Sequence, residues 1–280
     1  EGGIDEPRAE AMLDSAYRAG VNYFDTAYFY HQHTSEAFVG RMMRKYPRDS
    51  FKLATKMPMS VITSLEHAKE IFEGQLAALQ TEYVDFYLLH ALNGERWEQA
   101  KAMGIVGYLE EQQRAGRIRH FGFSFHDSYE AFEKILSERE WDFCQIQYNY
   151  MDTEEQAGDK GYALAEELGI PLVIMEPVKG GMLATPPESV VKVLKDAEPE
   201  SSVASWAVRF AANLEGVITV LSGMSNVEQM KDNLSYMKDF NGLNDAQMQT
   251  LKQAQEELNK IPLIPCTTCN YCAKVCPNLV

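Results

Sequence analysis

The chain has 280 residues, 45% of them apolar and 24% charged, which is enough to bury one large core as an ordinary globular protein. A formal net charge of −15 excludes a nucleic-acid partner, because a phosphate backbone needs a basic stripe that no segment supplies. The opening run Glu1-Gly2-Gly3-Ile4-Asp5-Glu6 lacks the basic start and apolar centre of a secretory signal, and no apolar run is long enough to span a bilayer. Four of the five cysteines crowd into the C-terminal region, a density that points to metal ligation in a reducing compartment and predicts a cytoplasmic protein.

In chain order, a helix is expected over about residues 6 to 19, followed by short β-branched and aromatic runs that alternate with segments of helical period. Seven strands are predicted: Val21 to Ala27, Phe51 to Lys56, Val84 to His90, Ile118 to Phe125, Phe143 to Asn149, Leu172 to Pro177 and Val217 to Gly223. Between the second and third, Leu65 to Gln80 repeats Leu65, Ala68, Ile71, Phe72, Leu76 and Leu79 on one helical face. Two helices, around Asn226 to Tyr236 and Asp245 to Lys260, close the series before the stiff linker Ile261-Pro262-Leu263-Ile264-Pro265.

Repeated βα units predict an α/β fold of the (β/α)8 barrel type. An open doubly wound sheet would carry a glycine-rich phosphate turn after its first strand, and none is present. Eight strands close such a barrel, so the sequence is expected to begin one strand late. Residues 1–262 form the expected barrel domain and residues 263–280 a separate cysteine segment.

Chemistry in such a barrel sits where strands run out into the βα loops. Asp25, Tyr30, Lys56 and His90 all fall there. Singly each has a plain structural explanation; together their chemistry is complementary. A tyrosine with a pKa of about 10 is a weak acid–base catalyst at neutral pH until an ammonium favours the phenolate. Lys56 supplies that charge, Asp25 keeps Lys56 protonated and oriented, and a neutral His90 donates to a substrate carbonyl oxygen.

These residues sit in recognisable strings. Gly20-Val21-Asn22-Tyr23-Phe24-Asp25-Thr26-Ala27-Tyr28-Phe29-Tyr30, followed by Ser35-Glu36 and Gly40, resembles the signature of the aldo/keto reductase family. Leu53-Ala54-Thr55-Lys56 resembles that family's lysine strand, and Val84-Asp85-Phe86-Tyr87-Leu88-Leu89-His90 its histidine strand. The resemblance runs from the first helix to the last. It implies a catalytic tetrad of Asp25, Tyr30, Lys56 and His90, with Tyr30 as general acid in reduction and general base in oxidation.

It also implies an extended nicotinamide dinucleotide, NADP or NAD, across the barrel mouth. Gly122-Phe123-Ser124-Phe125-His126 is similar to the family's Gly-x-Ser-Asn element, with Phe125 in place of asparagine, and Gln145 matches the glutamine that meets the carboxamide. By the same similarity the segment from Gly223 is the adenosine-phosphate segment, with Ser225 and Gln229 approaching the 2′-phosphate and Asp232 and Asn233 the adenine. Read as residues alone, Ser225 or Asn226 equally suits a helix cap. No arginine lies in that segment to grip a 2′-phosphate. The pair Gly180-Gly181 suits close approach of backbone N–H groups to a pyrophosphate, as it also suits a plain loop. Tyr28, Phe29, Trp97 and Phe125 are expected to permit an apolar carbonyl or alcohol substrate.

Cys266, Cys269, Cys272 and Cys276, the last followed by Pro277, have the spacing of a bacterial ferredoxin-type 4Fe–4S site. Zinc is the alternative, though its sites more often use two separated pairs. In two-cluster ferredoxins the fourth cysteine serves the other cluster, and similar reductases with ferredoxin-like tails continue into a second cysteine group, so residues 263–280 are expected to be truncated. Cys144, on a strand, reads as a buried apolar residue.

The leading expectation is therefore an oxidoreductase that moves hydride between NAD(P)H and a small carbonyl or alcohol substrate, with no membrane or nucleic-acid partner. One alternative makes Lys56 the Schiff-base nucleophile of an aldolase. Another is a non-enzymatic redox sensor or electron-transfer module holding nucleotide and cluster, with an electron-transfer partner.

Overall fold

The computed structural model describes residues 3–260. The expected cysteine segment, with Cys266, Cys269, Cys272, Cys276 and the boundary at residue 262, lies outside them. Seven parallel strands form one sheet in the order β1 to β7, wrapped into a nearly closed barrel. They are β1 (Tyr23–Asp25), β2 (Lys52–Met57), β3 (Val84–Leu92), β4 (Ile118–Phe125), β5 (Phe143–Gln147), β6 (Leu172–Met175) and β7 (Val217–Val220). Around them run α1 (Glu6–Arg18), α2 (Ser35–Met43), α3 (Leu65–Leu79), α4 (Gly94–Ala102), α5 (Ile105–Arg114), α6 (Tyr129–Ser137), α7 (Gly158–Glu167), α8 (Glu188–Ala197), α9 (Val203–Ala212), α10 (Val227–Met237) and α11 (Asp245–Asn259). Among the described residues β1 and β7 are the two edges and do not pair.

All seven strands fall where they were expected, but several are shorter, for local reasons. The predicted strand to Asn149 stops at Gln147 because the Asn149 side chain accepts the N–H groups of Met151 (3.0 Å) and Asp152 (2.9 Å), which bends the chain into a turn. The one predicted to Pro177 stops at Met175, where Glu176 takes a left-handed φ of +54°. By contrast β3 runs two residues past His90 to Leu92.

Alternation along the strands sorts side chains into two cores. Leu53, Tyr87, Leu89, Phe121, Phe123, Phe125 and Ile146 pack outward against the helices. Ala54, Leu88, Phe143 and Val173 fill the lumen, with Tyr23, Phe86 and Leu221 against them. Gly122 belongs to the lumen set by parity; a Cβ there would lie 2.5 Å from the Phe143 carbonyl oxygen and 2.6 Å from its ring, so only glycine admits that ring. Counting two residues on from each lumen residue gives Lys56, His90, Ser124, Gln145 and Met175, of which all but Gln145, in the middle of β5, lie toward the C-terminal ends of their strands. Asp25, two on from Tyr23, joins them.

Two of the expected substrate aromatics belong to the other set. Phe125 is fully buried against Phe132, with ring centroids 4.9 Å apart, and Trp97 is buried against Trp141 at 5.4 Å. Phe125 is spent on helix packing because β4 turns its odd residues outward, and Trp97 because it lies on the buried face of α4. Tyr28 and Phe29 keep partial exposure in the loop after β1.

Candidate active site

Strands β1 and β2 bring Asp25 and Lys56 together. The Lys56 ammonium is fully buried and donates to both Asp25 carboxylate oxygens (2.7 and 2.8 Å) and to the Thr26 carbonyl oxygen (2.8 Å). Those three acceptors match its three N–H groups. Burial pushes the Asp25 carboxyl upward, and the Lys56 ammonium opposes that shift. Tyr30, 39% exposed, stands over this pair with its ring centroid 4.9 Å from Lys56 Nζ. The His90 ring lies 6.1 Å from the Tyr30 ring, nearly perpendicular to it. The four expected catalytic residues are thus gathered at one mouth.

Behind Lys56 lies a buried polar network that sequence reading missed. Gln75, on α3, donates to Glu36 of α2 (2.8 Å) and to the Lys56 carbonyl oxygen (2.9 Å), and accepts from the Tyr87 hydroxyl (2.6 Å). Thr55 also donates to Glu36. Two helices and two strands are thereby tied to the peptide of the lysine, which fixes where its side chain begins.

Burial, then the charges of Lys56, His126 and Arg96, hold the His90 imidazole down at about 3, so it is neutral at physiological pH. Its Nδ1 is enclosed without a hydrogen-bond partner among the described residues. An orphaned acceptor there is the tolerable arrangement, which favours the proton on Nε2.

Ser124 and Gln145 are cross-strand neighbours on β4 and β5, both buried. Ser124 Oγ accepts from the Ala91 N–H at 2.8 Å, and Gln145 Nε2 approaches the Met175 sulfur at 3.3 Å. Gln145 Oε1 is buried with no partner among the described residues, an orphaned acceptor suited to an amide N–H. In the loop after β6, Gly180 (φ +60°) and Gly181 (φ +97°) are left-handed, and a Cβ on either would meet nothing within 4 Å. The Gly181 N–H is already taken by the Val178 carbonyl at 3.0 Å. Lys179, just before this glycine pair, is anchored by an ion pair to the buried Asp152, whose other oxygen takes Gln147 and Asn149 at 3.2 Å each.

At the β7–α10 turn, both readings of the sequence have a counterpart. Asn226 is the helix cap, accepting the Gln229 N–H at 2.8 Å. Ser225 instead donates its N–H and hydroxyl to Gln229 Oε1 (2.8 and 3.1 Å). Asp232 accepts from Ser202 (2.6 Å) and Asn233 donates to Ser222 (2.6 Å), while Gly223 is exposed with open space at its Cα. A cation does reach this turn: Arg8 of α1 donates to the Ser225 carbonyl at 3.4 Å. No sequence signal could have paired residues so far apart in the chain.

Taken together, the mouth offers a proton donor beside a buried ammonium, a neutral imidazole, an orphaned amide acceptor and a glycine loop. Among the described residues no group of three or more potential metal ligands is found, and no helix is long and apolar enough to cross a membrane.

The profile of the aldo/keto reductase family matches residues 1–256. The chain is 26% identical to an uncharacterized oxidoreductase, YqkF, of Bacillus subtilis, over 83% of each chain. It is 22% identical to an NADH-specific methylglyoxal reductase of Escherichia coli, over 92% of this chain and 91% of that one. Among solved structures, the holo form of an aldo-keto reductase from Bacillus halodurans superposes with a TM-score of 0.75 at 26% identity, over 90% of this chain and 89% of that one.

Proposed function

The chain belongs to the aldo/keto reductase family of oxidoreductase enzymes, matched from residue 1 to 256, and from that premise we propose that it transfers hydride between NAD(P)H and a small carbonyl or alcohol substrate, with Tyr30 moving the proton. The observation that carries this reading is the Tyr30 ring 4.9 Å above a lysine ammonium that is itself locked by Asp25. A reduced nicotinamide, when bound, supplies the hydride to the carbonyl carbon. The protein does the rest. His90 donates Nε2–H to the carbonyl oxygen, Tyr30 passes its hydroxyl proton to that oxygen, and the Lys56 ammonium offsets the charge that develops on the phenol. Asp25 keeps Lys56 charged and pointed.

The residues suit the dinucleotide. Gln145 Oε1 would accept from the carboxamide, with Ser124 next to it, and the Gly180–Gly181 turn leaves room for a pyrophosphate. Ser225, Gln229, Asp232, Asn233 and Gly223 line the turn proposed for the adenosine phosphate, where Arg8 adds a guanidinium that favours NADP.

The full coordination of Lys56 argues against a Schiff-base role, since its three N–H groups are spent and a nucleophilic amine must be neutral. On spacing alone, Cys266, Cys269, Cys272 and Cys276 are proposed to hold a 4Fe–4S cluster, which would call for an electron-transfer partner. Iron and acid-labile sulfide analysis of the purified chain tests that part by itself.

The test of the main reading is Tyr30→Phe. Turnover of carbonyl substrates should fall by about 10²-fold or more, while quenching of tryptophan fluorescence by the dinucleotide persists. Turnover retained within a few-fold would refute the role of Tyr30.

A further inference from the structure

The bulge beside His90 places an arginine at the substrate side of the mouth. Pairing of β3 with β4 shifts register between Leu89 and Leu92, and Ala91 takes a left-handed φ of +49°. Bulges beside active sites re-aim side chains, and this one is clamped from both sides. The Ala91 N–H donates to Ser124 Oγ at 2.8 Å, and the Ala91 carbonyl accepts from Arg96 Nη1 at 2.6 Å. Arg96 is held in turn by the first turn of α4, where its own N–H donates to Asn93 Oδ1 at 2.8 Å. The guanidinium therefore lies against the main chain one residue beyond His90.

Its charge is not answered. One of its five N–H groups meets a neutral carbonyl, and among the described residues no carboxylate forms an ion pair with it. The neighbouring anions are committed elsewhere or face water. Asp25 holds Lys56, Asp127 accepts the N–H groups of Gly94 (2.9 Å) and Ser128 (2.8 Å), and Glu95 is exposed on α4. His126 stands exposed on the same rim, its N–H on the Leu92 carbonyl at 3.1 Å. Burial first, and then charge that includes Arg96, hold the His90 imidazole neutral. A chain of net charge −15 thus keeps a half-buried, unpaired guanidinium beside its proton donors. Leaving such a group without an anion is costly, and a carboxylate can answer it with a forked contact.

We propose that Arg96 binds an anionic group on the substrate, so that the mouth selects carbonyl compounds bearing a carboxylate, oxo acids, over neutral aldehydes and ketones. This rests on the reductase reading above. The carbonyl oxygen sits between His90 and Tyr30, and the carboxylate on Arg96.

The full chain is assayed with NADPH and NADH on two aldehydes that differ in charge and by one ester methyl, 4-formylbenzoate and its methyl ester. The acid is expected to have the higher kcat/KM. In Arg96→Met the acid-to-ester ratio should fall by about 10- to 100-fold, mainly through KM for the acid, and Arg96→Lys, which keeps the charge, should recover part of it. A wild-type enzyme that does not favour the acid overturns the proposal. So does a ratio unmoved in Arg96→Met while both rates drop together, because Arg96 would then only shape the bulge around His90. Absence of turnover on either substrate with either dinucleotide overturns the reductase reading itself, and this inference with it.

Discussion

Two sides of the barrel mouth are built on opposite principles. On the β2–β3 side the strands are long, Lys56 is fully buried with every donor matched, and Gln75 ties the lysine's peptide to two helices. On the opposite side β6 and β7 are four residues each, Ile218 is 48% exposed, Glu176, Lys179, Gly180 and Gly181 are left-handed, and Gln145 Oε1 on the neighbouring β5 has no partner among the described residues. The lysine–aspartate pair of the first side is complete without any ligand, and only the His90 Nδ1 and the Arg96 guanidinium at the end of β3 stay unanswered there among the described residues. The second presents open backbone and an unanswered acceptor, as a surface does when a ligand supplies the missing contacts. Preorganised charge belongs where chemistry must not wait for rearrangement, and adaptable loops belong where a long molecule must enter and leave.

Breaking the complete side should cost most. Lys56→Met leaves the Asp25 carboxylate buried without its counter-charge, and we expect a loss of about 3–5 kcal/mol in urea unfolding together with loss of turnover. A Lys56→Met protein as stable as the parent would mean that the pair is not what organises this side. Next comes the imidazole. His90 takes up its proton near pH 6.5 when unfolded but only at about 3 when folded. The unfolded chain therefore binds the extra proton across that window, and stability falls as pH drops from about 6.5 toward 3, by up to about 1.4 kcal/mol per unit. Thermal melts at pH 7 and pH 4 should show a smaller drop for His90→Gln than for the parent; equal drops would place the imidazole in water. On the adaptable side the effect is smaller. Asn226→Ala removes the cap of α10 and should cost about 1 kcal/mol, read by urea unfolding, and bound dinucleotide should recover part of that loss if this turn holds it.

Much of the β2–β3 side was legible in the sequence because its residues end strands of clear period, and a repeat of two carries Ala54 to Lys56 and Leu88 to His90 without further information. The same rule, applied strictly, would have turned Phe125 away from the mouth, since it is out of phase with Gly122 and Ser124. Other features were invisible because no local pattern encodes them. The bulge at Ala91 depends on Arg96 and Ser124 gripping one peptide from different elements. The end of β6 depends on a left-handed glutamate, a conformation that glutamate does not advertise. Arg8 reaches Ser225 only because α1 packs beside α10.

The plug of Ala54, Leu88, Phe143 and Val173 has a kinetic corollary. With the lumen below Lys56 filled by these side chains, molecules approach Lys56 and Tyr30 from the strand-end side, and two reactants sharing that side must queue. Whichever settles deeper arrives first and departs last, so the sequence of arrivals and departures is set by a handful of side chains at the opposite end from the reaction.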